Sequence, residues 1–257
     1  VAHLVLDNVS KNFGGLAAVS DLNMEINDRE IVGLIGPNGA GKTTTFNLIT
    51  GELKPSSGEI SFESKKLNGM RPHRVAKAGI SRTYQLTTLF PGYTVMENVL
   101  VGFHLETKFS FVEALLNLRS NRRKERRLFD RAMEVLDFMG LSKLVDEQAE
   151  NLPHGLQRKL GVAISLACGP RLLLLDEPLT GMNPTEAADM INTIRQINER
   201  YGTAILIVEH NLKAVMALCR RIVVINFGMK IAQGSPEEIQ NDEQVIEAYI
   251  GRQIDAS

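Results

Sequence analysis

The chain has 257 residues and a formal net charge of −1 at pH 7. It is long enough for one large domain or a core with a subdomain, and it carries no global field that would draw it onto nucleic acid or an anionic membrane surface. Its two cysteines, Cys168 and Cys219, and its five histidines show no metal-ligand spacing, no apolar run approaches a membrane span, and no signal-peptide pattern opens the sequence.

From the N-terminus, residues 1–30 and 57–70 read as short alternating strands, as in Gly58-Glu59-Ile60-Ser61-Phe62, and predict a small antiparallel sheet. Between them, Ile31-Val32-Gly33-Leu34-Ile35 reads as a short buried strand. It runs into Gly36-Pro37-Asn38-Gly39-Ala40-Gly41-Lys42-Thr43, and Thr43-Thr44-Thr45-Phe46 opens a helix. This strand, loop and helix satisfy G-x-x-x-x-G-K-[ST], the P-loop that binds the phosphates of a nucleoside triphosphate. Its glycines let the backbone curl until successive N–H groups point at phosphate oxygens, and the helix dipole adds to the attraction. Lys42 supplies a point charge for the β- and γ-phosphates, and the Thr43 hydroxyl is placed to hold Mg²⁺.

Residues 87–158 read as helical. Leu128, Ala132, Val135, Leu136 and Met139 fall on one helical face, with Gly140 placed as the C-terminal cap. Just before them, Phe109, Phe111, Val112, Leu115, Leu116 and Leu118 are followed by Arg119, Arg122, Arg123, Lys124, Arg126 and Arg127. Two readings stand: an apolar-then-basic element facing a bilayer or a membrane partner, or a packed helix with a solvated basic face.

Further on, Leu172-Leu173-Leu174-Leu175-Asp176-Glu177 is an apolar run ending in two acids, the pattern of a central parallel strand. The carboxyl end of such a strand is where ligands bind in open α/β sheets. Asp176 fits the Mg²⁺-supporting acid, and Glu177 is where a carboxylate can polarise an attacking water. A second apolar strand, Ala204-Ile205-Leu206-Ile207-Val208, runs into Glu209-His210. His210 either reaches the same crevice or is a satisfied structural histidine. Asn183-Pro184-Thr185-Glu186 and Ser235-Pro236-Glu237-Glu238 read as capping boxes that open two later helices.

The order and spacing of these motifs, with Gln85 in Arg82-Thr83-Tyr84-Gln85 and the segment Leu152–Gln157 between them, resemble the nucleotide-binding subunits of ABC transporters from about Leu4 to Gly251. The resemblance implies an α/β P-loop NTPase core of mainly parallel sheet, with a small antiparallel β-subdomain and a helical subdomain. The ATP-binding core would take residues 1–86 and 159–257, and the helical subdomain 87–158. By position, Phe13 stands where an aromatic stacks on adenine, although without the resemblance it reads as an ordinary core aromatic after a strand. Residues Gly36, Pro37, Asn38, Gly39, Ala40, Gly41, Lys42, Thr43 and Thr44 bind the phosphates of ATP. Thr43, Gln85 and Asp176 serve Mg²⁺. Glu177, His210 and Gln85 are implied in catalysis, with His210 at the γ-phosphate, and Gly181-Met182-Asn183 matches the D-loop.

Narrower features are similar to the branched-chain amino-acid importers. Asn183 stands where most members have Asp, a long stretch follows Glu97–Gly102, and the chain runs Val245-Ile246-Glu247-Ala248-Tyr249-Ile250-Gly251 near its end. Lipopolysaccharide-transport ATPases share that ending and are the alternative, beside a regulatory ATP-binding subunit with weak hydrolysis. The implied partners are transmembrane permease subunits, a second ATP-binding subunit (a paralogue or a second copy), and an extracytoplasmic solute-binding protein indirectly, with no nucleic acid. The implied place is the cytoplasmic face of the cell membrane.

One segment departs from the family pattern. Members usually read Leu-Ser-Gly-Gly-Gln where this chain has Leu152-Pro153-His154-Gly155-Leu156. In the family this helix start reaches the γ-phosphate bound by the opposite subunit, so Pro153, His154 and Gly155 are expected at nucleotide. Pro153 lacks both the hydroxyl and the N–H of serine, but proline is tolerated in a helix's first turn, and the N–H groups of His154 and Gly155 survive.

Overall fold

The computed structural model describes residues 2–83, 89–103 and 119–254, with side chains described for 3–83, 89–103 and 126–249. Gln85, the apolar stretch Phe109–Leu118 and the side chains of Arg119–Lys124 lie outside the described residues. The chain divides into two compact units. One comprises residues 1–82, 171–177 and 194–257, the other residues 83–170 and 178–193.

The first unit holds two sheets. One is antiparallel, with order β2-β1-β4-β5, built from β1 (Ala2–Phe13), β2 (Leu16–Asn27), β4 (Ser57–Phe62) and β5 (Lys65–Lys66). Of the expected short strands, β4 and β5 are short, but β1 and β2 have 12 residues each. Bulges make that length possible. Leu4, Leu6 and Val9 are all buried although their parity changes, because Asn8 takes a left-handed φ of 47° where the register shifts between Leu6 and Val9. Asp21, at φ 44°, does the same on β2 between buried Val19 and Leu22. Each bulge lets an irregular apolar sequence keep one face inward.

The second sheet has the order β10-β9-β3-β8-β7-β6. Its strands are β3 (Ile31–Ile35), β6 (Ile80–Thr83), β7 (Leu172–Asp176), β8 (Ala204–Val208), β9 (Arg221–Asn226) and β10 (Met229–Gly234). Every residue of β3, β7 and β8 is buried, which is why these strands read as unbroken apolar runs. They pair in parallel, with β9 parallel to β3. The hairpin to β10 is antiparallel, so the sheet is mixed at that edge. Around it lie α1 (Lys42–Ile49), α2 (Pro72–Lys77), α7 (Leu212–Leu218), α8 (Pro236–Gln240) and α9 (Glu243–Ile254).

The second unit is helical among its described residues: α3 (Val95–Gly102), α4 (Arg119–Phe138), α5 (His154–Ala167) and the start of α6 (Pro184–Tyr201). Of the predicted face, Ala132, Val135, Leu136 and Met139 are buried and Leu128 is half-buried, and Gly140 closes α4 at φ 71°. Gly102 of α3 lies so close to α5 that a Cβ there would stand 2.5 Å from the Ile164 carbonyl. Helix α5 runs through residues 158 and 159 and lies whole within the second unit. Both capping boxes form: the Asn183 side-chain oxygen Oδ1 accepts from the Thr185 and Glu186 N–H groups, and the Ser235 hydroxyl from Glu238 N–H. Cys219 is buried and its thiol is pushed up to about 12, which makes it a small hydrophobe.

Arg221 at the start of β9 clamps Glu30 ahead of β3 with two hydrogen bonds of 2.7 Å, and reaches the Glu25 carbonyl. Partial burial alone would raise the Glu30 carboxyl, but the Arg221 fork and the Asn27 N–H outweigh it and hold it below the usual range. Arg221→Met is expected to lower unfolding stability by about 1–3 kcal/mol at pH 7 in urea titrations. Because the folded Glu30 is the stronger acid, its contribution is full above the ordinary carboxylate range and is lost as pH falls through the lowered value. The difference between the two proteins should therefore shrink in acid; an undiminished gap would show that the pair is not its source.

Candidate functional site

Strand register sets the site. Asp176, the last residue of β7, stands opposite Val208 on β8, and Val208 stands opposite Leu34 on β3, two residues before Gly36. The carboxyl ends of three buried strands thus meet at one level, where a parallel sheet opens to ligands.

The P-loop leaves β3 through Gly36, where a Cβ would lie 2.0 Å from the carbonyl oxygen of Ile225 on β9. Gly41 has φ 105° and is equally confined, since its Cβ would lie 2.5 Å from the Ala18 carbonyl. A hydrogen bond from Gly228 N–H to the Ala40 carbonyl (2.9 Å) holds the loop to the β9–β10 hairpin. Lys42 is buried, and its ammonium donates to the carbonyls of Gly36 at 2.7 Å and Pro37 at 3.0 Å. Helix α1 starts at Lys42 from a left-handed Gly41 with no side-chain cap and no acid in its first turn. Its leading N–H groups and its dipole are therefore offered to an anion.

At the end of β7, Asp176 is buried and its Oδ2 accepts from Arg82 Nη2 at 2.8 Å. Glu177 takes a left-handed φ of 49° and gives its N–H to the Val208 carbonyl, which turns its side chain outward. There Glu177 Oε1 lies 2.6 Å from His210 Nε2, the imidazole 48% and the carboxylate 18% exposed. His210 thus meets Glu177 just past the carboxyl ends of β8 and β7. The chain bends at His210 where its N–H donates to buried Glu209 at 3.2 Å.

The Leu152–Gln157 segment, in the helical unit, opens α5. Pro153 is the N-cap itself, one position earlier than the first-turn place expected from sequence, with φ −52° and ψ 146°. This suits its ring, but it offers no side-chain cap to the helix. The His154 ring lies over Gly181, and Gly155 meets the Glu186 carboxylate at a distance that leaves only 3.0 Å for a Cβ. The Gln157 amide donates to the carbonyls of Leu152 at 2.9 Å and Glu150 at 3.3 Å.

Residues 19–180 match the ABC transporter family model, and residues 229–255 match that of the branched-chain amino acid ATP-binding cassette transporters. The chain belongs to the ABC transporter family. As an ABC ATPase it is 42% identical to the high-affinity branched-chain amino acid transport ATP-binding protein LivG of Salmonella typhimurium, over 96% of this chain and 97% of the relative. BraF of Pseudomonas aeruginosa, of the same description, is 37% identical over the same shares. The lipopolysaccharide export system ATP-binding protein LptB of Haemophilus influenzae is more distant, 33% identical over 98% of each chain. Among solved structures, an ATP-binding cassette of an ABC transporter in its ADP conformation has a TM-score of 0.85 and 30% identity, covering 98% of this chain and 99% of its own.

Within this ABC cassette, Phe13 is not a core aromatic. It ends β1 with 47% of its surface exposed and the Lys11 ammonium 5.0 Å from its ring centre. Sequence reasoning missed Arg82, Glu209 and Tyr249. Arg82 had a signal: in Ile80-Ser81-Arg82-Thr83 the alternation puts it on the same inward side as Ile80. Tyr249 of α9 had none. Burial pushes its phenol up to about 12 even though its oxygen accepts a hydrogen bond from the Gly36 N–H.

Lys42→Ala is expected to abolish tight ATP binding, because it removes the cation that the loop wraps. Calorimetry on the variant, with circular dichroism to confirm the fold, checks this; unchanged affinity would contradict the assignment.

Proposed function

We propose that this ABC ATPase is the nucleotide-hydrolysing subunit of an importer of branched-chain or related amino acids. The Glu177–His210 pair carries the hydrolytic part of the reading, since it places a carboxylate and an imidazole just beyond the acid that ends β7. The C-terminal family match at 229–255 and the names of the 42% and 37% identical relatives support the solute class over the lipopolysaccharide alternative. A purely regulatory role is disfavoured, because such a subunit has no use for an outward-turned acid paired with histidine.

In this reading the N–H groups from Gly36 to Thr44 and the Lys42 ammonium bind the phosphates, and Phe13 stacks on adenine. Thr43 and Asp176 offer the hard oxygen donors that suit Mg²⁺, with Gln85 named for the same ion by its place in the sequence. Among the described residues no cluster of acids, histidines and cysteines forms a metal cage. An ion held mainly by phosphates and one or two protein oxygens needs none. Mg²⁺ when bound neutralises charge on the phosphate oxygens. Glu177 orients the attacking water, and His210 fixes the Glu177 carboxylate by donating to Oε1 and faces the γ-phosphate. Hydrolysis is then mostly positioning and charge stabilisation.

Transport further requires permease subunits in the membrane, a solute-binding protein outside it, and a second ATP-binding subunit. The second subunit is needed because the start of α5, with Pro153, His154 and Gly155, is read as serving nucleotide on the opposite cassette. No described helix is long and apolar enough to cross a membrane, which fits a subunit that works from the cytoplasmic face on permease partners.

Glu177→Gln is expected to leave MgATP affinity near wild type and to cut steady-state hydrolysis by roughly a hundredfold or more in the presence of the partner subunits. Near-normal turnover would overturn the role of Glu177. In the same background, Pro153→Ser with Leu156→Gln is expected to strengthen ATP-driven dimerisation by about tenfold, the worth of one regained charge-assisted hydrogen bond. The check is dimer fraction against ATP concentration; no gain would show that backbone N–H groups carry that contact unaided.

A further inference from the structure

Arg82 takes no part in the phosphate contacts described above, yet its guanidinium is buried against the acid on which they depend. Nη2 donates to Asp176 Oδ2 at 2.8 Å and Nη1 to Asn47 Oδ1 at 2.6 Å, while Glu52 lies 3.7 Å from Nη1. The cation also stands 5.4 Å from the ring centre of Phe46. The Arg82 and Asp176 side chains are 5% and 3% exposed. Asn47 and Phe46 belong to α1, the helix that the P-loop opens, so one guanidinium joins β6, β7 and that helix.

Stability alone is a weak reason for such a pair. The cost of dehydrating two charges offsets most of their attraction, and apolar residues of similar volume would hold the three elements as well. The pair is better explained by what it does to Asp176. A carboxylate read as serving Mg²⁺ only when a triphosphate is present must be compensated in the nucleotide-free subunit, where a buried lone charge is costly. It must also not collect a bare divalent ion that would occupy the crevice ahead of the nucleotide.

We propose that Arg82 is a positioning residue that compensates Asp176 in the nucleotide-free subunit and, by repelling a bare divalent cation, admits Mg²⁺ only together with the triphosphate. The proposal rests on the reading of Asp176 as the Mg²⁺-supporting acid. A triphosphate brings its own negative charge and so outweighs the repulsion; a free ion does not. At an effective dielectric near 20, deleting a positive charge a few ångströms from a divalent ion strengthens its binding by at least about tenfold. A lysine would keep the charge while losing the planar fork that meets Asp176 and Asn47 together.

The test uses Mn²⁺ as probe, titrated into the nucleotide-free full chain and followed by the paramagnetic resonance of the free ion. Arg82→Met is expected to bind Mn²⁺ at least about tenfold more tightly than wild type, Arg82→Lys to match wild type, and Asp176→Asn added to Arg82→Met to erase the gain. A folded Arg82→Met protein with wild-type Mn²⁺ affinity would overturn the proposal, as would a gain that survives Asp176→Asn. If Arg82→Met does not fold, Arg82→Gln, a shorter polar side chain without the charge, carries the same expectation. Failure of both to fold would assign Arg82 to the fold alone. The underlying reading fails separately: Asp176→Asn by itself would then retain the full Mg²⁺ dependence of ATP binding in calorimetry.

Discussion

The P-loop approaches β9 so closely that the Ile225 carbonyl occupies the space a Cβ on Gly36 would need. Only glycine lets β3 end there and turn at once. That turn places Lys42, at the uncapped start of α1, under the carbonyls of Gly36 and Pro37. The neighbouring strands then fix everything else. Because β3, β8 and β7 are parallel and in register, Glu177 and His210 emerge beside one another just past the ends of β7 and β8, and Arg82 reaches Asp176 from β6.

The site is also arranged so that its charges are matched within the protein. Arg82 answers Asp176, and the Lys42 ammonium is held by carbonyl dipoles. In a poorly solvated crevice such matching avoids the cost of isolated ions. It also means that an arriving triphosphate exchanges one set of partners for another rather than meeting bare charge. The backbone N–H groups at the head of α1 are the donors to which this exchange leads, and they need no reorganisation.

What the sequence disclosed was whatever short-range rules govern. The P-loop is a local motif, the buried strands are unbroken apolar runs, and the capping boxes at Asn183 and Ser235 are four-residue patterns that formed as read. What stayed hidden depends on distant neighbours. The length of β1 and β2 rests on bulges at Asn8 and Asp21, which no alternation rule anticipates. The exposure of Phe13 follows from the hairpin it ends, and the antiparallel edge at β10 from a turn rather than a crossover. Arg82 shows the boundary between the two: its inward parity was legible, but its partners lie 35 and 94 residues away. Tyr249 is further out of reach, since its link to Gly36 joins the two ends of the unit.

The central claim is that ATP is held by backbone N–H groups of the P-loop while the Glu177–His210 pair faces its terminal phosphate. Amide hydrogen exchange of the Glu177→Gln protein, read by mass spectrometry with and without MgATP, tests it directly. The account predicts slowed exchange in peptides covering Gly36–Thr45 and in those spanning residues 176–177 and 208–210. Nucleotide-dependent protection confined to other segments, with the P-loop amides unchanged, would contradict it.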